Sequence, residues 1–144
     1  MYSVRQILQN KGSQVWSIEP DATVYEALEL LAEKDIGALL VIKDGKLKGI
    51  FSERDYARKV IIQGKTSRET RVKEIMTPKV TIVEPEQSTE ACMAIMTEQH
   101  IRHLPVIEEG QVIGVISIGD VVKAVISNQE FVIEQLENYI SGER

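Results

Sequence analysis

The apolar residues of this chain follow one pattern, and they follow it twice. Val15–Ile18 is a short β-prone run closed by Glu19-Pro20. Thr23-Val-Tyr-Glu26 has the form of a capping box, in which the Thr side chain accepts from an early helical N–H and Glu26 reaches back. Val24, Ala27, Leu28, Leu31 and Ala32 then recur at helical spacing. Leu39–Ile42 and Leu47–Phe51 flank Asp44-Gly45, a strong hairpin signal because Gly takes positive φ without penalty. A helix is predicted around Glu53–Ile62. The order is β-α-β-β-α.

Sliding Val15–Ile61 onto Val80–Ile126, 65 residues on, requires no gap. Pro20, Leu39, Val41, Gly45, Gly49, Ser52 and Asp55 meet identical residues at Pro85, Leu104, Val106, Gly110, Gly114, Ser117 and Asp120. In the second copy Ser88 is the N-cap, Cys92 and Met96 lie on the apolar helix face, and a closing helix is predicted over Ile118–Ser127. Units this short cannot each bury a full core. The copies are therefore expected to pack face to face, with paired pockets in a pseudo-two-fold seam. The fold class is α/β (α+β).

Ser3-Val-Arg-Gln6 reads as a capping box on a short N-terminal helix, and Val72, Ile75 and Met76 echo it before the second copy. Gly64–Arg71 is polar and reads as a linker. Val132, Leu136, Tyr139 and Ile140 make an apolar stripe, which covers either its own domain or a second subunit. The expected division is 1–66 for the N-terminal segment and first repeat, 67–127 for the linker helix and second repeat, and 128–144 for an amphipathic helix.

Composition adds limits. The 144 residues are 43% hydrophobic and 27% charged, ordinary for a globular protein. No apolar run approaches membrane-spanning length, no signal pattern opens the chain, and Cys92 is the single cysteine. These features predict a cytoplasmic protein. The net charge of −5 argues against nucleic acid or an anionic membrane as partner. Arg54–Lys73 runs the other way, with seven basic against two acidic residues, a net +5. It is either a solvated basic face or a local attraction for a small anion.

The paired closing motifs Gly49-Ile-Phe-Ser-Glu-Arg-Asp55 and Gly114-Val-Ile-Ser-Ile-Gly-Asp120, with Ile101-Arg-His-Leu-Pro-Val106, carry a family resemblance. Over Ser3–Ser127 the chain resembles a tandem pair of cystathionine-β-synthase (CBS) domains, a Bateman module. Ser52–Lys59 is similar to stand-alone bacterial members that bind AMP or NAD. The resemblance implies a disk with two clefts between the repeats and an adenine nucleotide bound there. It implies ribose contacts from Asp55 and Asp120. Phosphate contacts are expected from Ser52, Arg54, Arg58, Arg102, His103 and Ser117. An adenine pocket would draw on Ile18, Ala38, Val83 and Pro105. The first repeat has Gly37 and Ala38 where the second has Arg102 and His103, so the two sites should differ.

Elementary chemistry agrees with these assignments. One carboxylate presents two acceptors to the two hydroxyl donors of a ribose diol. A helix N-terminus offers free N–H groups to phosphate. Ser-x-x-Asp is equally a plain capping box, and one Ser can serve both roles. The expected function is a non-catalytic regulatory sensor holding AMP, ATP or NAD, with ADP and S-adenosylmethionine sharing the recognised features. The alternative is an interaction or dimerisation module without a small ligand. A homodimer and an unidentified target protein are the expected macromolecular partners. No nucleophile–base pair supports an enzyme, and His100 and His103 do not complete a metal set.

Overall fold

Each hairpin turn has both central residues at positive φ. Asp44 and Gly45 sit at 51° and 75°, Glu109 and Gly110 at 52° and 77°. That is the two-residue turn whose twist matches the flanking strands. In the computed structural model, which describes residues 2–141, these hairpins anchor two separate units, one for each repeat.

The first unit is Val15–Thr81. It contains β1 (Ser17–Ile18), α2 (Val24–Lys34), β2 (Ala38–Lys43), β3 (Lys46–Ser52), α3 (Glu53–Tyr56) and α4 (Val72–Ile75). α1 (Val4–Lys11) precedes them in the chain. β1 pairs parallel with β2, and β2 pairs antiparallel with β3 through a bulge at Val41/Ile42. The Thr23 hydroxyl caps α2 as expected, accepting from the Glu26 N–H at 3.1 Å. α2 buries Val24, Ala27 and Leu31 against Leu39, Val41, Phe51, Val60, Val72 and Ile75.

The predicted helix over Glu53–Ile62 is not uniform. After α3 the chain widens into a π-helix, Ala57–Ile61, with the Ile62 N–H donating to the Ala57 carbonyl. The wider turn keeps Val60 fully buried while Lys59 reaches back to α3. Such turns are frequent where a helix serves a site.

The second unit joins the described residues up to Gln14 to those from Ile82 onward. It contains α1, α5 (Thr89–Gln99), β4 (His103–Glu108), β5 (Gln111–Ser117) and α6 (Ile118–Ser141). β4 and β5 repeat the hairpin, bulge included, at Val106/Ile107. The first strand of this copy shrinks to a single parallel bridge, Val83 to Val106. Its core is Val4, Ile7, Leu8, Val83, Cys92, Met96, Leu104, Val106, Ile116 and Val121.

The division in space therefore differs from the expected boundary at 66/67. The N-terminal helix belongs with the second repeat, and the segment from 67 to 81 belongs with the first. Backbone bonds explain both placements. Val4 and Arg5 N–H donate to the Gln87 and Pro85 carbonyls, and Thr89 N–H to Tyr2. Val72 and Lys73 do the same to Ala22 and Pro20, and Val24 to Thr70. Each repeat thus takes the segment whose N–H groups fill the carbonyls at the start of its long helix. The amphipathic helix expected over 128–144 is not separate either. Ser127-Asn-Gln129 holds no Gly or Pro, so α6 runs unbroken from Ile118 to Ser141. Residues 142–144 of that expected helix lie outside the described residues.

Candidate functional site

The two Ser-x-x-Asp motifs form the same local structure. Each Ser is the last residue of a hairpin and the first turn of a helix begins just after it. In the first unit the Ser52 N–H donates to Asp55 Oδ2 at 2.9 Å, and the Asp55 N–H donates to Ser52 Oγ at 3.2 Å. In the second the Ser117 N–H donates to Asp120 Oδ2 at 2.8 Å, and the Asp120 N–H to Ser117 Oγ at 3.2 Å. Both are reciprocal capping boxes. A backbone bond ties each helix start to the strand entry: Glu53 N–H to the Gly37 carbonyl, Ile118 N–H to the Arg102 carbonyl.

The carboxylates differ in what else they hold. Asp55 is 8% exposed and engaged on both oxygens. Oδ2 also lies 3.1 Å from the Ser52 hydroxyl, and Oδ1 receives Lys59 Nζ at 3.1 Å and the Thr77 hydroxyl at 3.5 Å. Lys59 Nζ further donates to the Ile75 carbonyl at 3.0 Å. Asp120 is the more open, with a side chain 22% exposed. Its Oδ2 takes both the Ser117 N–H and Lys11 Nζ, the latter at 2.7 Å. Burial pushes the Asp120 carboxyl up, but Lys11 and Ser117 outweigh it and hold it below the usual carboxylate range.

The remaining expected residues are dispersed around these boxes. His103 lies opposite Ser117 in the β4–β5 ladder, and Ala38 opposite Ser52 in the β2–β3 ladder. Ile18 and Ala38 are half-buried, whereas Val83 and Pro105 are buried in the second unit. Arg54 and Arg58 are exposed in the first unit. Arg102 is exposed and lines an open depression of about 740 Å³ with Ile118, Val122 and Ile126 of α6. Asp120 lines a different cavity, of about 130 Å³, against α1. The structure therefore brings Ser and Asp together in each unit, but places Arg102 and Asp120 along different hollows. Lys11 and Lys59 were not anticipated. Lys59 sat in view, four residues after Asp55, the spacing at which helical charges meet. Lys11 is distant in sequence and carried no such signal.

His100 is the left-handed cap of α5, at φ 56°, matching Asp35 at 54° after α2. Among the described residues no group of three or more His, Cys, Asp or Glu side chains is placed to hold a metal ion. Nor is any helix among them long and apolar enough to cross a membrane. Trp16 packs at the edge of the first core, with Lys34 Nζ 4.3 Å from its ring centroid.

Comparison with known proteins places this geometry. The family model for the CBS domain matches residues 4–62 and 72–127. The CBS domain-containing protein CBSX3, mitochondrial, of Arabidopsis thaliana is 43% identical over 136 residues, covering 91% of this chain. The chain spans 66% of that relative's length. A solved protein with CBS domains from Burkholderia ambifaria is 53% identical, with a TM-score of 0.86 over 89% of this chain and 96% of that one. The CBS domain pair of MJ0100, solved with 5'-methylthioadenosine and S-adenosyl-L-methionine, shares the fold at 23% identity and a TM-score of 0.79, covering 89% of this chain and 98% of that one. With both repeats matched and both capping boxes formed, the chain belongs to the CBS domain family, as a tandem pair.

Proposed function

We propose that this protein is a non-catalytic regulatory module that binds an adenine nucleotide, AMP, ATP or NAD, through Asp55 and Asp120. The observation that carries the reading is the duplicated Ser–Asp box, formed in both repeats at the same backbone position. Each carboxylate supplies acceptors for a ribose diol, and each Ser stands at a helix N-terminus. The MJ0100 pair supports the reading to the extent that the same fold accommodates adenosine-type ligands. Arg102, Arg54 and Arg58 are exposed cations. The net charge of −5 leaves nucleic acid and anionic membranes outside the reading. A bound nucleotide acts by favouring one of two conformations, and only a difference in affinity between them transmits the signal to a target protein.

The test is calorimetric titration of ligand-stripped protein with AMP, ATP, NAD and S-adenosylmethionine. Micromolar binding of one of them is expected. Asp120→Ala should cost roughly 1.5–3 kcal/mol, a tenfold loss of affinity or more. Asp55→Ala should cost less, because Asp55 is already satisfied on both oxygens. No heat from any ligand on a folded sample, or unchanged affinity in both variants, rejects the assignment.

We also infer that the protein is a homodimer. Exposed apolar side chains on α6 favour this reading over a solitary chain: Ile126 at 51%, Ile133 at 54%, Leu136 at 56% and Ile140 at 83%. Asp120 lies on a different face of α6 from Ile126, whereas Arg102 lines its depression together with Val122 and Ile126.

A further inference from the structure

The pair between Lys11 and Asp120 joins two elements that lie far apart in the chain. Lys11 is the last residue of α1, and its ammonium donates to Asp120 Oδ2 at 2.7 Å and to the Val115 carbonyl at 3.0 Å. The cavity beside it, about 130 Å³, is lined by Tyr2, Asn10, Lys11, Asp120, Lys123 and Ser127. That volume holds a few waters. It is well short of the roughly 300 Å³ at which pockets for small organic ligands begin. A ribose cannot reach Asp120 through this cavity while Lys11 stays in place.

We infer that Lys11 is a built-in competitor for the Asp120 carboxylate, and that the C-terminal end of α1 is the element a bound nucleotide displaces. This rests on the reading of Asp120 as the ribose acceptor. The ammonium takes Oδ2, one of the two acceptor oxygens that a diol would use, so the ligand binds only the state in which Lys11 has let go. Its binding then shifts α1 towards that released state. The first repeat is built differently. Asp55 is held by Lys59 of its own helical segment, four residues on. The segment from 67 to 81 reaches Asp55 through the neutral Thr77 hydroxyl at 3.5 Å and through Lys59, which also donates to the Ile75 carbonyl at 3.0 Å. Occupancy of the second repeat is therefore reported to the N-terminal helix.

The experiment is a double-mutant cycle read by calorimetry with AMP, on ligand-stripped wild type, Lys11→Met, Asp120→Asn and the double variant. Lys11→Met should tighten AMP binding about two- to fivefold, the worth of a partly exposed ion pair. The gain should shrink at high salt, which screens the pair that wild type must break. It should vanish in the Asp120→Asn background. In the wild type AMP should speed hydrogen exchange at the amides at the end of α1. Weaker or unchanged binding in Lys11→Met overturns the inference, and so does AMP-induced protection of α1. If no nucleotide binds the wild type or Lys11→Met, the functional reading fails first and takes this inference with it. Binding that is lost in Asp120→Asn but indifferent to Lys11 leaves the functional reading standing and removes only the competitor. Lys11 is partly exposed at a helix end, so its removal leaves the core intact.

Discussion

At the scale of single residues, the two copies differ most sharply where one has a core methyl and the other a hydroxyl. Thr89 begins α5 fully buried, and among the described residues its Oγ1 has no hydrogen-bond partner. The matching position in the first repeat is Val24, also fully buried. An unsatisfied buried hydroxyl costs about 1–3 kcal/mol. Thr89→Val should therefore stabilise the protein by about 1–2 kcal/mol, read as a higher denaturation midpoint with an unchanged m-value. Asp120 makes a prediction of the opposite sign. Its carboxyl lies below the ordinary range, since Lys11 and Ser117 more than offset burial. A depressed native pKa stabilises the fold above the unfolded value, about 3.9, and that contribution is lost as pH falls through the native value. Asp120→Asn should lower the melting temperature at neutral pH. The gap to wild type should narrow as pH is taken below about 4. A gap that stayed constant down to pH 2 would show that the ion pair adds nothing to stability.

At the scale of elements, two glycines show how each repeat holds its adopted segment. A Cβ on Gly49 would sit 2.7 Å from the Thr77 carbonyl oxygen and 2.8 Å from Met76 Sδ. A Cβ on Gly114 would sit 2.6 Å from Leu8 Cδ2. Leu8 and Met76 fill equivalent places in the two units, but the obstacles differ in kind. Thr77 is backbone bonded to Ile50 in both directions, with N–O distances of 3.0 and 2.9 Å, and it cannot move alone. Leu8 meets the added methyl with the tip of a side chain. Gly49→Ala should cost about 1–3 kcal/mol of stability and Gly114→Ala distinctly less. Equal losses, measured by urea denaturation, would contradict this account. Much of the element order was legible because hairpin turns, N-caps and helical periodicity are local signals. Asp44-Gly45 and the Thr23 cap need only their neighbours. The partner of each flanking segment was not legible. Which carbonyls the Val4 and Val72 N–H groups fill is a tertiary choice, and sequence adjacency suggested the wrong neighbour. The Ser–Asp boxes were read from spacing alone. Lys11 was missed because an ion pair across more than a hundred residues leaves no periodic trace.

At the scale of the whole molecule, α6 sets the argument for assembly. Its 24 residues are about 36 Å of helix. From Val122 onward its apolar positions alternate in steps of four and three: Val122, Ile126, then Gln129, Ile133, Leu136 and Ile140. That is a heptad seam with Ile at one core position, Leu or Val at the other, and one polar Gln129 between. Val125, Val132 and Tyr139 widen the stripe on one side. Beyond Ser127 nearly every side chain is exposed, so the unit itself does not cover this seam. An isolated helical stretch of that length is marginal in water, and the most economical cover is the same seam on a second copy. Ile133→Glu puts a charge at the middle of the seam and leaves the core of the unit untouched. It should convert a dimer into a monomer in sedimentation equilibrium while the melting of the sheet-containing core changes little. The C-terminal half of α6 should at the same time lose protection from hydrogen exchange, because pairing is what holds it helical. A wild-type protein that sediments as a monomer at every concentration would remove the pairing, and the seam would then belong to a different protein.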